Sequence, residues 1–115
     1  MFIAAQRWWP DYNDPWNMLA PNFTKAMIGN GGNASAWVNK RFEEIMAEAE
    51  HYTDEEQLAT LMKEAQNILT EQDPPAIYYG QFKWYSVLRA DIQGFVPNPL
   101  YLSSYPFYEM WRGTA

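Results

Sequence analysis

The sequence predicts an α/β fold in which a hairpin of two helices packs on a small mixed sheet. Two segments in the middle of the chain carry apolar residues at helical spacing, and each follows a residue suited to capping a helix. Short apolar segments that are typical of strands lie before and after these helices, bounded by proline and glycine. The 115 residues correspond to one domain rather than two.

The part of the chain before the hairpin is predicted to hold one strand and one short helix. The apolar start, Met1 to Trp9, predicts a short buried strand. Asp14 and Pro15 suit the N-cap and the first position of a helix, which we expect to end at Pro21. A glycine-rich loop follows at residues 29–33.

The two helices of the hairpin have the clearest signals. Asn39 can cap the first helix. The apolar face of this helix consists of Phe42, Ile45, Met46 and Ala49. Thr53 and Glu56 have the spacing of a capping box at the start of the second helix, and the prolines after Asp73 end it. The apolar face of the second helix consists of Leu58, Leu61, Met62, Ala65, Ile68 and Leu69.

The last third of the chain is predicted to supply the other strands. Ala76 to Tyr79 and Trp84 to Leu88 predict the second and third strands, and Asp91 to Phe95 predicts a turn into a further short extended piece. The tail from Tyr101 to Trp111 is rich in aromatic residues, for which the sequence offers no internal partner.

Composition excludes several classes of function. A net charge of −6 repels phosphate backbones, so we predict no nucleic-acid partner. The absence of cysteine removes disulfides, thiolate zinc sites and thiol nucleophiles. Six Trp, eight Tyr and six Phe are more rings than a core of this size can bury. We therefore expect some of the rings to face a ligand, a partner or further protein.

The residues that could carry catalysis or bind a metal are few. His51, the one histidine, lies near a helix end, where it suits the helix dipole better than the role of a base. The acidic segment 11–14 imitates the start of a calcium loop, but Pro15 and Trp16 stand where that loop needs an oxygen ligand and a glycine. The glycine-rich loop lacks the Lys and Ser/Thr of a phosphate loop. We predict no catalytic residue, no metal and no cofactor.

The candidate ligand-binding residues lie where the first strand ends, a common place for ligand sites in α/β sheets. There, rings that can form apolar walls alternate with carboxylates that can supply a directed charge. The candidates are Trp8, Trp9, Asp11, Tyr12 and Trp16. The alternative is a rigid turn in which Asp14 caps a helix and the tryptophans pack inside. The residues alone leave both interpretations open.

The same segment resembles a known family. Trp8-x-x-Asp11-Tyr12-Asn13-Asp14-Pro15 is similar to the Trp-x-x-Asp-Tyr-x-Asp-Pro segment of the dipeptide/oligopeptide-binding class (family 5) of ABC-transporter extracellular solute-binding proteins. Further resemblances follow in the family's order. They are Trp37 to Glu43, Glu64 to Leu69 with Asp73 to Ile77, and Val87 with Gly94-Phe95 and Asn98-Pro99.

The resemblance implies that residues 1–115 are the C-terminal segment of a longer, two-lobed protein, and we expect a partial lobe of a type II periplasmic-binding-protein fold. It implies capture of a peptide outside the cytoplasm, delivery to a membrane permease and no enzymatic activity. It also implies that Asp11 pairs with the α-amino group of the peptide. The location implied is periplasmic or extracellular, with the export or lipoprotein signal in the absent N-terminal part.

Two other functions stay open. The aromatic segments are compatible with an oligosaccharide ligand in the same family, because rings stack on sugar faces. The second alternative is a small acidic interaction module whose exposed rings bind a protein partner. Because of the surplus rings, we also expect the isolated chain to self-associate.

Overall fold

The structure, a computed structural model, describes residues 8–80, 83–98 and 105–113, which fall into two compact units, 1–78 and 79–115. The described residues of the first unit form three α-helices, α1 (Pro15–Phe23), α2 (Lys40–Ala49) and α3 (Glu55–Asn67), and a short 3-10 helix at Lys25–Met27. Those of the second form two short strands, β1 (Ile92–Gln93) and β2 (Trp111–Arg112). Helices with a small sheet agree with the predicted α/β class, although the sheet is antiparallel rather than mixed.

Helix α1 begins as predicted and ends later than predicted. The side chain of Asp14 accepts a hydrogen bond from the backbone N–H of Trp16 at 2.7 Å, and Pro15 occupies the first turn. The helix continues through Pro21 to Phe23, so the prediction that Pro21 ends it is wrong. A proline inside a helix deprives one carbonyl of its N–H partner, and here a side chain from outside the helix replaces that partner.

Of the two helix caps predicted for the hairpin, the one of α2 is confirmed and the one of α3 is wrong. The side chain of Asn39 accepts from the backbone N–H of Phe42 at 3.1 Å, as predicted for α2. At α3 the cap is Asp54, which accepts from Glu56 and Gln57 at 2.9 and 3.1 Å, so the predicted capping box of Thr53 is not formed. A carboxylate is a stronger acceptor than a hydroxyl, so Asp54 caps α3 in preference to Thr53 and the helix begins one residue later than predicted.

The core of the first unit lies between the apolar faces of α2 and α3, with α1 against them. The predicted faces are confirmed, with Leu58 and Leu61 only half-buried. The fully buried members are Ala20, Phe42, Ile45, Met46, Ala49, Met62, Ala65, Ile68 and Leu69. Strands are absent from the described residues of this unit, and its hairpin packs against α1, so the sheet predicted for this part of the chain is not found within the unit.

Hydrogen bonds join the segment before α2 to the segment after α3. A single turn of π-helix, Ile68–Gln72, follows α3, and the prolines after Asp73 end it as predicted. The carboxylate of Asp73 accepts from the indole N–H of Trp37 at 2.9 Å and from the side-chain amide of Asn39 at 3.0 Å. The start of α2 is therefore fixed to the end of α3.

The glycine-rich loop is an ordered connection. Asn33 is buried, and its side-chain amide donates to the carbonyls of Phe23, Thr24 and Trp37 at 3.1, 3.0 and 2.8 Å. Glycine is required at Gly32, because a Cβ there would lie 1.9 Å from the carbonyl oxygen of Pro21. The loop thus packs directly on α1.

Most of the predicted strands do not form. Of the first, residues 1–7 lie outside the described residues, and Trp8 and Trp9 are not in a strand. Segments 76–79 and 84–88 are described and carry no strand, and Ile77 and Val87 are 88% and 93% exposed. A strand needs a neighbouring strand for its backbone N–H and C=O groups, and among the described residues these two segments form no strand pairing.

Part of the described aromatic tail has partners within the second unit. The prediction of an unpartnered tail is therefore wrong for Tyr105 and Trp111, whereas Tyr108 is fully exposed. The ring of Tyr105 lies 5.8 Å from those of Phe95 and Phe107, centroid to centroid. Trp111 pairs with Gln93 in the antiparallel ladder. The prediction for Tyr101 lies outside the described residues. Within segment 91–95, which was predicted as a turn into an extended piece, only Asp91 lies in a turn. Ile92–Gln93 already forms β1, so the extended piece begins earlier than predicted.

Candidate functional site

The segment 8–16, which leads into α1, is attached to that helix through Asn17. The indole N–H of Trp8 donates to the backbone carbonyl of Asn17 at 2.8 Å. The backbone N–H of Asp11 donates to the side-chain oxygen of the same asparagine, also at 2.8 Å. Asn17 is only 4% exposed, so both hydrogen bonds converge on a buried residue. Two of the predicted ligand-binding residues are therefore fixed by one anchor.

Sequence reasoning missed Asn17, although the sequence contains a signal for it. In an α-helix the N–H of residue i donates to the carbonyl of residue i−4, and Pro21 stands four residues after Asn17. Because proline has no N–H, the carbonyl of Asn17 has no helical partner and accepts from Trp8 instead. A proline inside a helix thus marks a carbonyl that needs a donor from elsewhere.

The candidate residues of the segment are open to solvent. Trp8 and Trp9 are 36% and 37% exposed, Tyr12 is 49% exposed, and Asp11 is also an exposed residue. The backbone N–H of Asp14 donates to the carbonyl of Tyr12 at 2.9 Å, which closes a tight turn directly before α1. The arrangement presents rings and a carboxylate from a backbone that is held at both ends.

Trp16 has a different environment from the other candidates. Its indole N–H donates to the backbone carbonyl of Met46 in α2 at 2.9 Å, and its ring packs against the hydrophobic core. The residue is half-buried. The structure therefore places Trp16 at the contact between α1 and α2, whereas Trp8 and Asp11 are joined through Asn17.

An ion pair away from segment 8–16 joins the two helices of the hairpin. Arg41 of α2 makes a two-bond ion pair with Glu64 of α3, at 2.7 and 2.8 Å. These hydrogen bonds lower the pKa of Glu64 and raise the pKa of Arg41 from their ordinary values.

Over the described ranges, no group of three or more His, Cys, Asp and Glu side chains could hold a metal ion. Over the same described ranges, no helix is long and apolar enough to cross a membrane.

Curated proteins similar to this chain are peptide-binding proteins by name. The Di/tripeptide-binding protein 4 of Pseudomonas aeruginosa is 38% identical over 100 residues, which cover 85% of this chain and 18% of that protein. The Dipeptide-binding protein of Escherichia coli is 31% identical over 81% of this chain, and the Dipeptide-binding protein DppE of Bacillus subtilis is 29% identical over 79%. The chain spans less than a fifth of the length of each. No family model and no solved structure matches it.

Proposed function

The chain belongs to the dipeptide/oligopeptide-binding class of extracellular solute-binding proteins, and we propose that it forms part of the ligand cleft of such a protein, the substrate-binding component of an ABC importer. The whole protein would capture a peptide outside the cytoplasm and deliver it to a membrane permease. Its location would be periplasmic or extracellular, with a lipoprotein anchor as one means of attachment. Residues 1–115 would be the C-terminal segment, and a partial lobe of the two-lobed fold.

One observation carries the proposal. The 38% identity to a di/tripeptide-binding protein extends over 85% of the chain, so it is not confined to one short motif. The anchored segment supports it, because Trp8 and Asp11 of the family-like motif are also the two residues that Asn17 holds. A binding site needs groups fixed before the ligand arrives, since each group that must be ordered on binding lowers the affinity.

The chemistry of Asp11 suits the amino terminus of a peptide. An ammonium group carries a full positive charge and three donors, and an ionised carboxylate is the strongest acceptor that a protein offers it. The backbone of Asp11 is fixed by its hydrogen bond to Asn17, whereas the residue itself is exposed. Trp8, Trp9 and Tyr12 supply apolar surface beside it, which lowers the dielectric around an ion pair once a ligand excludes water.

An oligosaccharide is the alternative ligand within the same family. The partial exposure of Trp8 and Trp9 favours it, because a tryptophan ring open to solvent can stack on a sugar face. The other alternative is a protein-interaction module, which the exposed apolar residues of the second unit favour. Tyr79, Tyr85, Phe107 and Tyr108 are each at least three-quarters exposed.

A thermal-shift screen of the whole solute-binding protein that contains this chain tests the proposal. A ligand that binds only the folded state stabilises it by mass action, by about 2.7 kcal/mol at a hundred times its Kd. We expect dipeptides with a free amino terminus to raise the Tm, and disaccharides to leave it unchanged. A rise in Tm with disaccharides alone would indicate that the ligand is a sugar rather than a peptide. No response to either class would favour the interaction module.

A further inference from the structure

The position of Pro21 determines which carbonyl of α1 is available to bind an outside donor. The carbonyl of Asn17 would accept from the N–H of residue 21 in a regular helix, and proline lacks that N–H. In the structure the indole N–H of Trp8 donates to it at 2.8 Å. The indole therefore occupies the place of a missing helical hydrogen bond, which fixes its N–H end relative to the helix axis.

The side chain of Asn17 adds a second restraint on the same segment. Its oxygen accepts from the backbone N–H of Asp11 at 2.8 Å, three residues after Trp8. Asn17 is 4% exposed, and in this shielded position water does not readily replace a lost partner. The stretch from Trp8 to Asp11 is thus held at both ends by one residue.

We propose that Asn17 and Pro21 are positioning residues of the peptide site, and that they hold Trp8 and Asp11 in the orientation that the ligand meets. This inference rests on the proposed function. Neither residue needs to touch the peptide. Asn17 acts through its two hydrogen bonds, and Pro21 acts by leaving the carbonyl of Asn17 free for Trp8.

The anchor itself is tested in the full 115-residue chain by NMR of the indole N–H groups. Pro21→Ala supplies an N–H that competes with Trp8 for the carbonyl of Asn17. We expect hydrogen exchange at the Trp8 indole to become faster, while exchange at the Trp16 indole, which donates to Met46, is unchanged. Asn22→Ala is the control, because Asn22 is a second buried asparagine of α1 whose side-chain amide donates within the helix. Equal exchange at Trp8 in the parent and Pro21→Ala would overturn the role of Pro21.

The positioning role is tested by calorimetry on the whole solute-binding protein with L-alanyl-L-alanine. We expect Asn17→Ala and Pro21→Ala each to raise the Kd about tenfold, which corresponds to about 1.4 kcal/mol. Circular dichroism and the Tm check that both variants are folded. Asn17→Asp keeps an acceptor oxygen at the same place, so it should bind more tightly than Asn17→Ala. Asn22→Ala should bind as the parent does.

The outcomes separate the two proposals. If the parent binds the dipeptide and both Asn17→Ala and Pro21→Ala bind it equally well, the positioning role is wrong and the proposed function stands. If the parent binds no peptide, the proposed function is wrong. The hydrogen bonds of Asn17 are then structural only, which also overturns the positioning role.

Discussion

Truncation of neighbouring residues on α3 tests the core directly. Met62 is 3% exposed and lies in the core cluster, whereas Leu61 is half-buried and packs at its edge. Met62→Ala removes a fully buried side chain and leaves a cavity, and such changes cost about 2–5 kcal/mol. Leu61→Ala removes a side chain that water already reaches, so we expect about half of that cost.

The assay is urea unfolding of the isolated chain, followed by circular dichroism and tryptophan fluorescence. Trp16 and Trp37 pack against the core, so the fluorescence change reports its loss. Both variants introduce alanine at an interior position of the same helix, so the difference between them reflects burial rather than helix propensity. A cost for Leu61→Ala equal to or above that for Met62→Ala would show that α3 presents a different face to α2, and the described core would be wrong.

Three further predictions concern the cap, the ion pair and association. Asp54→Ala should lower the free energy of unfolding by about 1 kcal/mol and Thr53→Ala should leave it nearly unchanged; the reverse order in urea unfolding would restore the capping box. The lowered pKa of Glu64 means that its pair with Arg41 stabilises the fold above the pKa of the unfolded state, near 4.5, and that this contribution is lost as the pH falls through the folded value. The destabilisation by Glu64→Gln, measured as a urea midpoint, should therefore shrink towards acid pH, and a constant difference would contradict the pair. The isolated chain should self-associate, because large side chains such as Ile77 and Tyr108 are almost fully exposed; light scattering that shows a monomer at high concentration would refute this.

Local signals in the sequence predicted the helices well. The apolar period of α2 and α3 identified the buried residues, because the core of the first unit is formed by these helices and α1. The caps Asp14 and Asn39 were predictable for the same reason, since a cap bonds to an N–H two or three residues away. Asp54 was missed because two adjacent residues can both cap, and spacing alone does not rank them.

The strands were poorly predicted because a strand depends on a neighbour that the local sequence does not specify. Segment 76–79 has strand composition but no paired neighbour among the described residues, whereas β1 and β2 pair across almost twenty residues of intervening chain. The candidate site was likewise predicted only in part. Its motif could be read from the sequence, but the anchor at Asn17 depends on contacts six and nine residues apart that begin outside the helix.

We propose that Asp11 binds the amino terminus of a peptide, a claim that calorimetry on the whole solute-binding protein can test. Dipeptides with free and N-acetylated amino termini are titrated into the parent, Asp11→Asn and the control Asp54→Asn, which keeps a good capping residue at the start of α3. We predict that Asp11→Asn weakens binding of the free dipeptide by about 2–5 kcal/mol, as for other buried charge pairs that lose one partner, and that the acetylated dipeptide binds poorly to the parent. Equal binding of the two dipeptides to the parent, or unchanged affinity in Asp11→Asn, would contradict the claim.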